Sequence, residues 1–185
     1  MSWYEYEPAT SLHLIREISS SHSSIIDMGG GGSLLARRLV ELGFKEVTVL
    51  DIAPSAVERA RARSGELEKQ IRWIVADVIE LDTLPPCDVW HDRAVFHFLT
   101  GAEDRNGYIT LAKRTIRPGG HMVVGVFALD GPDKCSGLPV ERYDTGKLVA
   151  EFGPDFSLQS VRDETHVTPT GKAQKFTFAV FERKR

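Results

Sequence analysis

Near its start the chain reads Ile25-Ile26-Asp27-Met28-Gly29-Gly30-Gly31-Gly32-Ser33, and no other stretch constrains the fold as strongly. Two β-branched residues and a carboxylate end a buried strand, and four consecutive glycines then open a helical pattern. Without Cβ atoms the chain can turn tightly there and present the amides of a helix N-terminus to a ligand. In an open α/β sheet, nucleotide-type ligands bind at this place, beyond the carboxyl ends of the strands.

The rest of the chain supplies such a sheet. Leu12, Ile15 and Ile18 stand at helical spacing, which predicts a short helix from Thr10 to about Ser19. Apolar runs at 25–28, 47–50, 71–75, 87–91 and 121–127 read as strands. Between them lie helical patterns: one is ended by Gly43, one opens at Pro54, and one spans about Ala102 to Ile116. This alternation, with short turns, predicts a doubly wound, mostly parallel, Rossmann-like sheet covered on both faces. Two further strand-like runs, Leu158 to about Val167 and Phe176 to about Phe181, flank Thr168-Pro169-Thr170-Gly171 and read as an antiparallel hairpin. One domain over 1–185 is expected: an N-terminal lid or helix (1–22), a core (23–128), then a substrate-side loop with the closing hairpin (129–185).

Charge and cysteine usage narrow the partners. A net charge of −3 argues against a general nucleic-acid binder. Arg59, Arg61 and Arg63 read as a solvated helix face. Cys87 and Cys135 form no close pair, which suits a reducing cytoplasm better than a disulfide scaffold or zinc site. No apolar run approaches the roughly 18 residues of a membrane span. The expectation is a cytoplasmic monomer or weak homodimer with no bound metal, no membrane and no nucleic acid.

The glycine spacing bears on the ligand. A dinucleotide fingerprint wants Gly-x-Gly-x-x-Gly. Counting from Gly29 or from Gly30, the third position is Leu34 or Leu35. Asp27, two residues before the turn, would also oppose a pyrophosphate and suits a ligand with a cationic end. These residues resemble the class I S-adenosylmethionine-dependent methyltransferases, whose first motif is an acid, a spacer and a Gly-x-Gly turn, matched by Asp27-Met28-Gly29-Gly30-Gly31. A third glycine often follows there; this chain has Ser33. The resemblance implies that Asp51, ending strand two, holds the ribose hydroxyls. Asp77, after strand three, would meet the adenine amino group, with Ile52 and Val78 covering the ring. It also implies seven strands in the order 3-2-1-4-5-7-6 with the last antiparallel. Asp27, Gly29, Gly30, Gly31 and His91 complete the expected donor site, for S-adenosylmethionine and its product S-adenosylhomocysteine.

The acceptor is expected after strand four. Trp90-His91-Asp92-Arg93-Ala94 resembles the Trp-Asp-Arg-Gly-Ala stretch of thiopurine-type methyltransferases. Asp92-Arg93-Ala94-Val95 is similar to Asp-Lys-Gly-Thr of some protein-lysine methyltransferases. No proline follows Asp92, unlike the Asn/Asp-Pro-Pro-aromatic signature of nucleic-acid amino-methylating enzymes. Asp92, Arg93 and His97 are the catalytic candidates: Asp92, His97 and His91 as bases, Arg93 as a grip on an anionic group. Bracing the loop or packing a helix accounts for these residues equally well. The long loop from Phe127 to Val140 reads as a lid or functional loop. It leads to Arg142 and Tyr143 near the same rim, and Trp3, Tyr4 and Tyr6 would either fold over the donor or pack the first helix. The expected function is methyl transfer (EC 2.1.1.-) to a small-molecule nucleophile. The alternatives are a protein-lysine methyltransferase, a non-catalytic donor-binding module and, least favoured by the glycine spacing, an NAD-dependent oxidoreductase.

Overall fold

The computed structural model describes residues 8–168 and 171–185. Strands β1 (Ser24–Met28), β2 (Glu46–Asp51), β3 (Ile71–Val75), β4 (Cys87–Arg93), β5 (Ile116–Phe127), β6 (Phe156–Val167) and β7 (Ala173–Arg183) form one sheet. Its order is β3-β2-β1-β4-β5-β7-β6. The first five strands pair in parallel, and β7 runs antiparallel to both β5 and β6. The helices are α1 (Ala9–Ile18), α2 (Leu35–Glu41), α3 (Pro54–Ser64), α4 (Ala102–Thr115) and α5 (Thr145–Phe152). Fold class, strand order and the antiparallel strand agree with the expectation from the sequence.

Alternation along each strand sorts side chains to the two faces of the sheet. On one face Ile25, Val47, Val49, Val89 and Val123 meet Leu12, Leu14 and Ile15 of α1 and Leu35 and Leu39 of α2. On the other, Ile26, Leu50, Trp90, Met122 and Val124 meet Tyr108 and Leu111 of α4 and Leu148 and Phe152 of α5. Because both faces are covered, all of β1 is buried, including its charged residue.

Several boundaries differ from the sequence reading, each for a local reason. The glycines do not open a helix directly. Gly30–Gly32 make one 3-10 turn, Ser33 is extended, and α2 starts at Leu35, whose amide donates to Ser33 Oγ at 3.0 Å. Strand β4 runs two residues past His91, and β5 starts early because Ile116 pairs with Cys87, which draws Pro118-Gly119-Gly120 into the strand. Helix α5 was not expected, although its signals are present. Asp144 caps it by accepting from the Lys147 amide at 2.8 Å, and Leu148 and Phe152 follow at a spacing of four. Within the loop after β5, Lys134–Cys135 and Leu138–Pro139 form their own short ladder, turning at Ser136 and Gly137 with positive φ. Tyr143 is not a rim residue: it is 1% exposed and its ring tilts against Phe96 at 5.5 Å. Trp3, Tyr4 and Tyr6, and Pro169 and Thr170 of the hairpin turn, lie outside the described residues.

Candidate active site

The turn after β1 is shaped by what a side chain there would strike. Gly29 has φ +68°, and a Cβ on it would stand 2.4 Å from Val95 Cγ2. A Cβ on Gly30 would stand 2.3 Å from Asp27 Oδ2, so this glycine makes room for the carboxylate. The turn is also pinned from outside. Asp51, ending β2, accepts from the Gly31 amide on Oδ2 at 3.0 Å and from the Ala53 amide on Oδ1 at 2.8 Å. Arg63 donates to the Gly31 carbonyl at 3.2 Å. Arg63 is therefore part of the turn's support rather than of a solvated face, whereas Arg59 and Arg61 are exposed.

Asp27 and His91 are register partners on adjacent parallel strands, so their side chains leave the sheet on the same side. His91 Nδ1 lies 2.7 Å from Asp27 Oδ1, and Nε2 lies 2.9 Å from Ser11 Oγ on α1. A carboxylate only accepts, so Nδ1 carries the proton. In the tautomer with its one proton on Nδ1, Nε2 accepts from the serine hydroxyl. The second oxygen of Asp27, Oδ2, is buried and has no hydrogen-bond partner among the described residues. Asp27, Gly29, Gly30, Ser33, His91, Ser11 and Arg93 line one cleft beside this oxygen. The Arg93 guanidinium also lies 4.7 Å over the Phe176 ring.

Asp92 does not join them. Alternation turns it to the opposite face of the sheet, toward α4. There, fully buried, it accepts from the amides of Val95 at 2.8 Å and Phe96 at 3.0 Å, and from the Tyr108 hydroxyl. Tyr108 in turn accepts from Trp90 Nε1 at 2.8 Å. Burial pushes the Asp92 carboxyl up to about 6, against the lowering effect of the Tyr108 hydrogen bond. Its role is to clamp the turn that follows, where Ala94 takes φ +70°. The expectation that Asp92 serves as a base is corrected accordingly.

His97 is also withdrawn from base chemistry. It is fully buried, with its ring 4.7 Å from those of Phe98 and Phe127, and among the described residues neither nitrogen has a hydrogen-bond partner. Burial, then the Arg93 charge, lowers its pKa to about 3. An imidazole held neutral by burial should show no titration of its ring resonances between pH 7 and pH 4. An NMR titration of the histidine ring protons checks this.

The residues expected around the base and ribose line up at the carboxyl ends of β2 and β3. The Ala76 amide donates to the Asp51 carbonyl at 3.2 Å, tying the two strand ends together, and Asp77 accepts from the Ile79 amide at 3.2 Å. Ile52 is 64% exposed, as an apolar cover awaiting a ring would be, but Val78 is turned into the core. Its neighbour Ile79, 40% exposed, is the apolar group left open at that turn. Among the described residues no group of three or more His, Cys, Asp or Glu side chains is placed to hold a metal ion, and no helix is long and apolar enough to cross a membrane. The site residue missed in the sequence is Ser11. Its signal was a polar residue on the buried side of α1, four before Ile15.

Residues 26–124, more than half of the chain, match the methyltransferase domain family, and the chain belongs to that family. Over 88 residues it is 32% identical to malonyl-[acyl-carrier protein] O-methyltransferase of Anoxybacillus flavithermus, covering 47% of this chain and 33% of that protein. Over 81 residues it is 33% identical to nodulation protein S of Rhizobium fredii, covering 44% and 46%. Ubiquinone biosynthesis O-methyltransferase of Xanthomonas euvesicatoria is 26% identical over 135 residues, covering 68% and 56%. The chain thus spans a third to just over half the length of these curated relatives. Among solved structures, N-methyltransferase NodS of Bradyrhizobium japonicum with S-adenosyl-L-homocysteine superposes with a TM-score of 0.74 at 19% identity, covering 99% and 90%. A methyltransferase of Methanosarcina mazei superposes with a TM-score of 0.73 at 16% identity, covering 92% and 97%. The fold is that of the S-adenosylmethionine-dependent methyltransferases.

Proposed function

We propose that the chain is an S-adenosylmethionine-dependent methyltransferase acting on a nucleophile of a small molecule. The observation that carries this reading is Asp27 Oδ2, a buried carboxylate oxygen with no hydrogen-bond partner among the described residues, set against the glycine turn. Such an oxygen is costly unless a cation completes it. The donor's ammonium is such a cation. At the other end of the site, exposed Ile52 and Ile79 beside Asp51 and Asp77 suit an adenosine, with Asp51 taking the ribose hydroxyls. The donor supplies a methyl group already activated on a sulfonium, so the chain's residues have to bind, align and exclude water. Arg93, in the cleft with Asp27 and braced on Phe176, is the acceptor-side residue, and its fork fits a carboxylate or phosphate on the acceptor. The small-molecule acceptor is supported by the relatives, whose names specify O- and N-methyl transfer.

The reading extends to one domain over 1–185, supported by the β6–β7 hairpin completing the sheet that β1 begins. It extends also to a cytoplasmic location, supported by two buried cysteine thiols. A thermal-shift comparison tests the donor. Added at about 100 times its Kd, S-adenosylhomocysteine should stabilise the fold by about 2.7 kcal/mol, while NAD at the same concentration leaves the melting temperature unchanged. The reverse pattern would restore the dinucleotide reading.

A further inference from the structure

We propose that Ser11 and His91 are positioning residues for the donor, forming a relay through which helix α1 holds the Asp27 carboxylate in its binding orientation. The inference rests on the donor reading above and adds to it a side chain from outside the glycine turn. Three observations meet here. Asp27 has one oxygen committed to His91 at 2.7 Å and the other without a hydrogen-bond partner among the described residues, so the imidazole decides which oxygen remains for a ligand. His91 is held at its far nitrogen by Ser11 at 2.9 Å, which fixes both tautomer and ring plane. Ser11 itself is 2% exposed, and α1 anchors it by packing Leu12, Leu14 and Ile15 into the sheet's apolar face. The cleft wall and the buried carboxylate are therefore one hydrogen-bonded unit spanning α1, β4 and β1.

The order carboxylate, imidazole, hydroxyl is also that of a hydrolytic triad. The surrounding amides argue against a nucleophilic serine. Those of Gly29 and Gly31, which a developing oxyanion would need, are bonded to the Leu50 carbonyl at 2.7 Å and to Asp51 at 3.0 Å. The relay's proton stays within it, and its product is orientation. The consequence is selective: the relay acts on the amino-acid end of the donor and leaves the adenosine end alone.

Calorimetry with two ligands separates these ends. S-adenosylhomocysteine carries the ammonium, and 5′-methylthioadenosine lacks the amino-acid portion. His91→Leu should weaken S-adenosylhomocysteine by about tenfold and Ser11→Ala by about threefold, the range for losing a buried hydrogen bond to a charged group or to its support. The affinity for 5′-methylthioadenosine should stay within about twofold in both variants by the same scale. His91→Asn, whose amide N–H can take the place of Nδ1–H, should recover most of the loss. Equal weakening of both ligands, or no weakening of either, would overturn the relay. A wild-type protein binding neither ligand would instead overturn the donor reading on which the relay rests.

Discussion

Asp92→Ala is expected to cost about 3 kcal/mol of unfolding free energy, because three donors lose a shared acceptor inside the protein. Two of them, the amides of Val95 and Phe96, hold the turn after β4, and the third is the Tyr108 hydroxyl from α4. Trp90 Nε1 reaches the same hydroxyl at 2.8 Å, so the loss spreads through three fully buried side chains, Asp92, Tyr108 and Trp90. Urea denaturation at pH 7 measures it. A pH series adds a second readout. The folded-state carboxyl titrates at about 6, above the 3.8 of an unperturbed aspartate. Between these values the folded protein holds the proton more tightly than the unfolded chain, so this group's contribution to stability falls as pH rises from about 4 to about 6. Buried His97 works in the opposite sense across the whole of that range, since its folded pKa is lowered from 6.5 to about 3. The quantity to follow is therefore the difference between wild type and Asp92→Asn. That difference should decline across the window and level off above it; a difference independent of pH would show that burial does not raise the carboxyl.

Gly30→Ala is expected to abolish measurable donor binding while leaving most of the sheet intact. The added methyl carbon would stand 2.3 Å from Asp27 Oδ2, 2.7 Å from Asp27 Cγ and 3.1 Å from Val49 Cγ1. Asp27 cannot yield without giving up His91, and Val49 lies fully buried in the apolar face. The expected result is a loss of at least about 100-fold in S-adenosylhomocysteine affinity, equivalent to about 2.7 kcal/mol. Gly107→Ala is the matched control. Gly107 lies within α4, where a Cβ meets nothing within 4 Å, and alanine there should stabilise the helix by about 0.5–1 kcal/mol. Donor affinity retained in Gly30→Ala would place the ligand away from this turn.

Much of the candidate site's arrangement was legible without coordinates because its signals are local. Glycine, aspartate and strand-end positions recur at spacings set by the strand–turn–helix geometry, so Asp27, Gly29–Gly31 and Asp51 fall into register along the chain. The period-two rule was present too: His91 and Arg93 stand two apart and share a face, and Asp92 between them belongs to the other. Ending strand four at His91 hid that alternation, since β4 continues to Arg93. Val78 shows the same difficulty on a smaller scale, where the choice between Val78 and Ile79 as the open apolar residue depends on how a 3-10 turn is rotated.

Periodicity and spacing determined the layered sheet and the tight turn with its preceding acid, and the family resemblance supplied the strand order. Tertiary structure decided what those carboxylates and imidazoles touch. Asp27 meets His91 across 64 residues of chain and His91 meets Ser11 across 80, contacts that exist only because parallel strands bring distant segments into register and α1 folds back over them. The physical reason is the range of each signal. Side-chain periodicity is fixed by backbone geometry within a few residues. The partner that keeps a buried charge, or silences a histidine, comes from whichever element packs against that face.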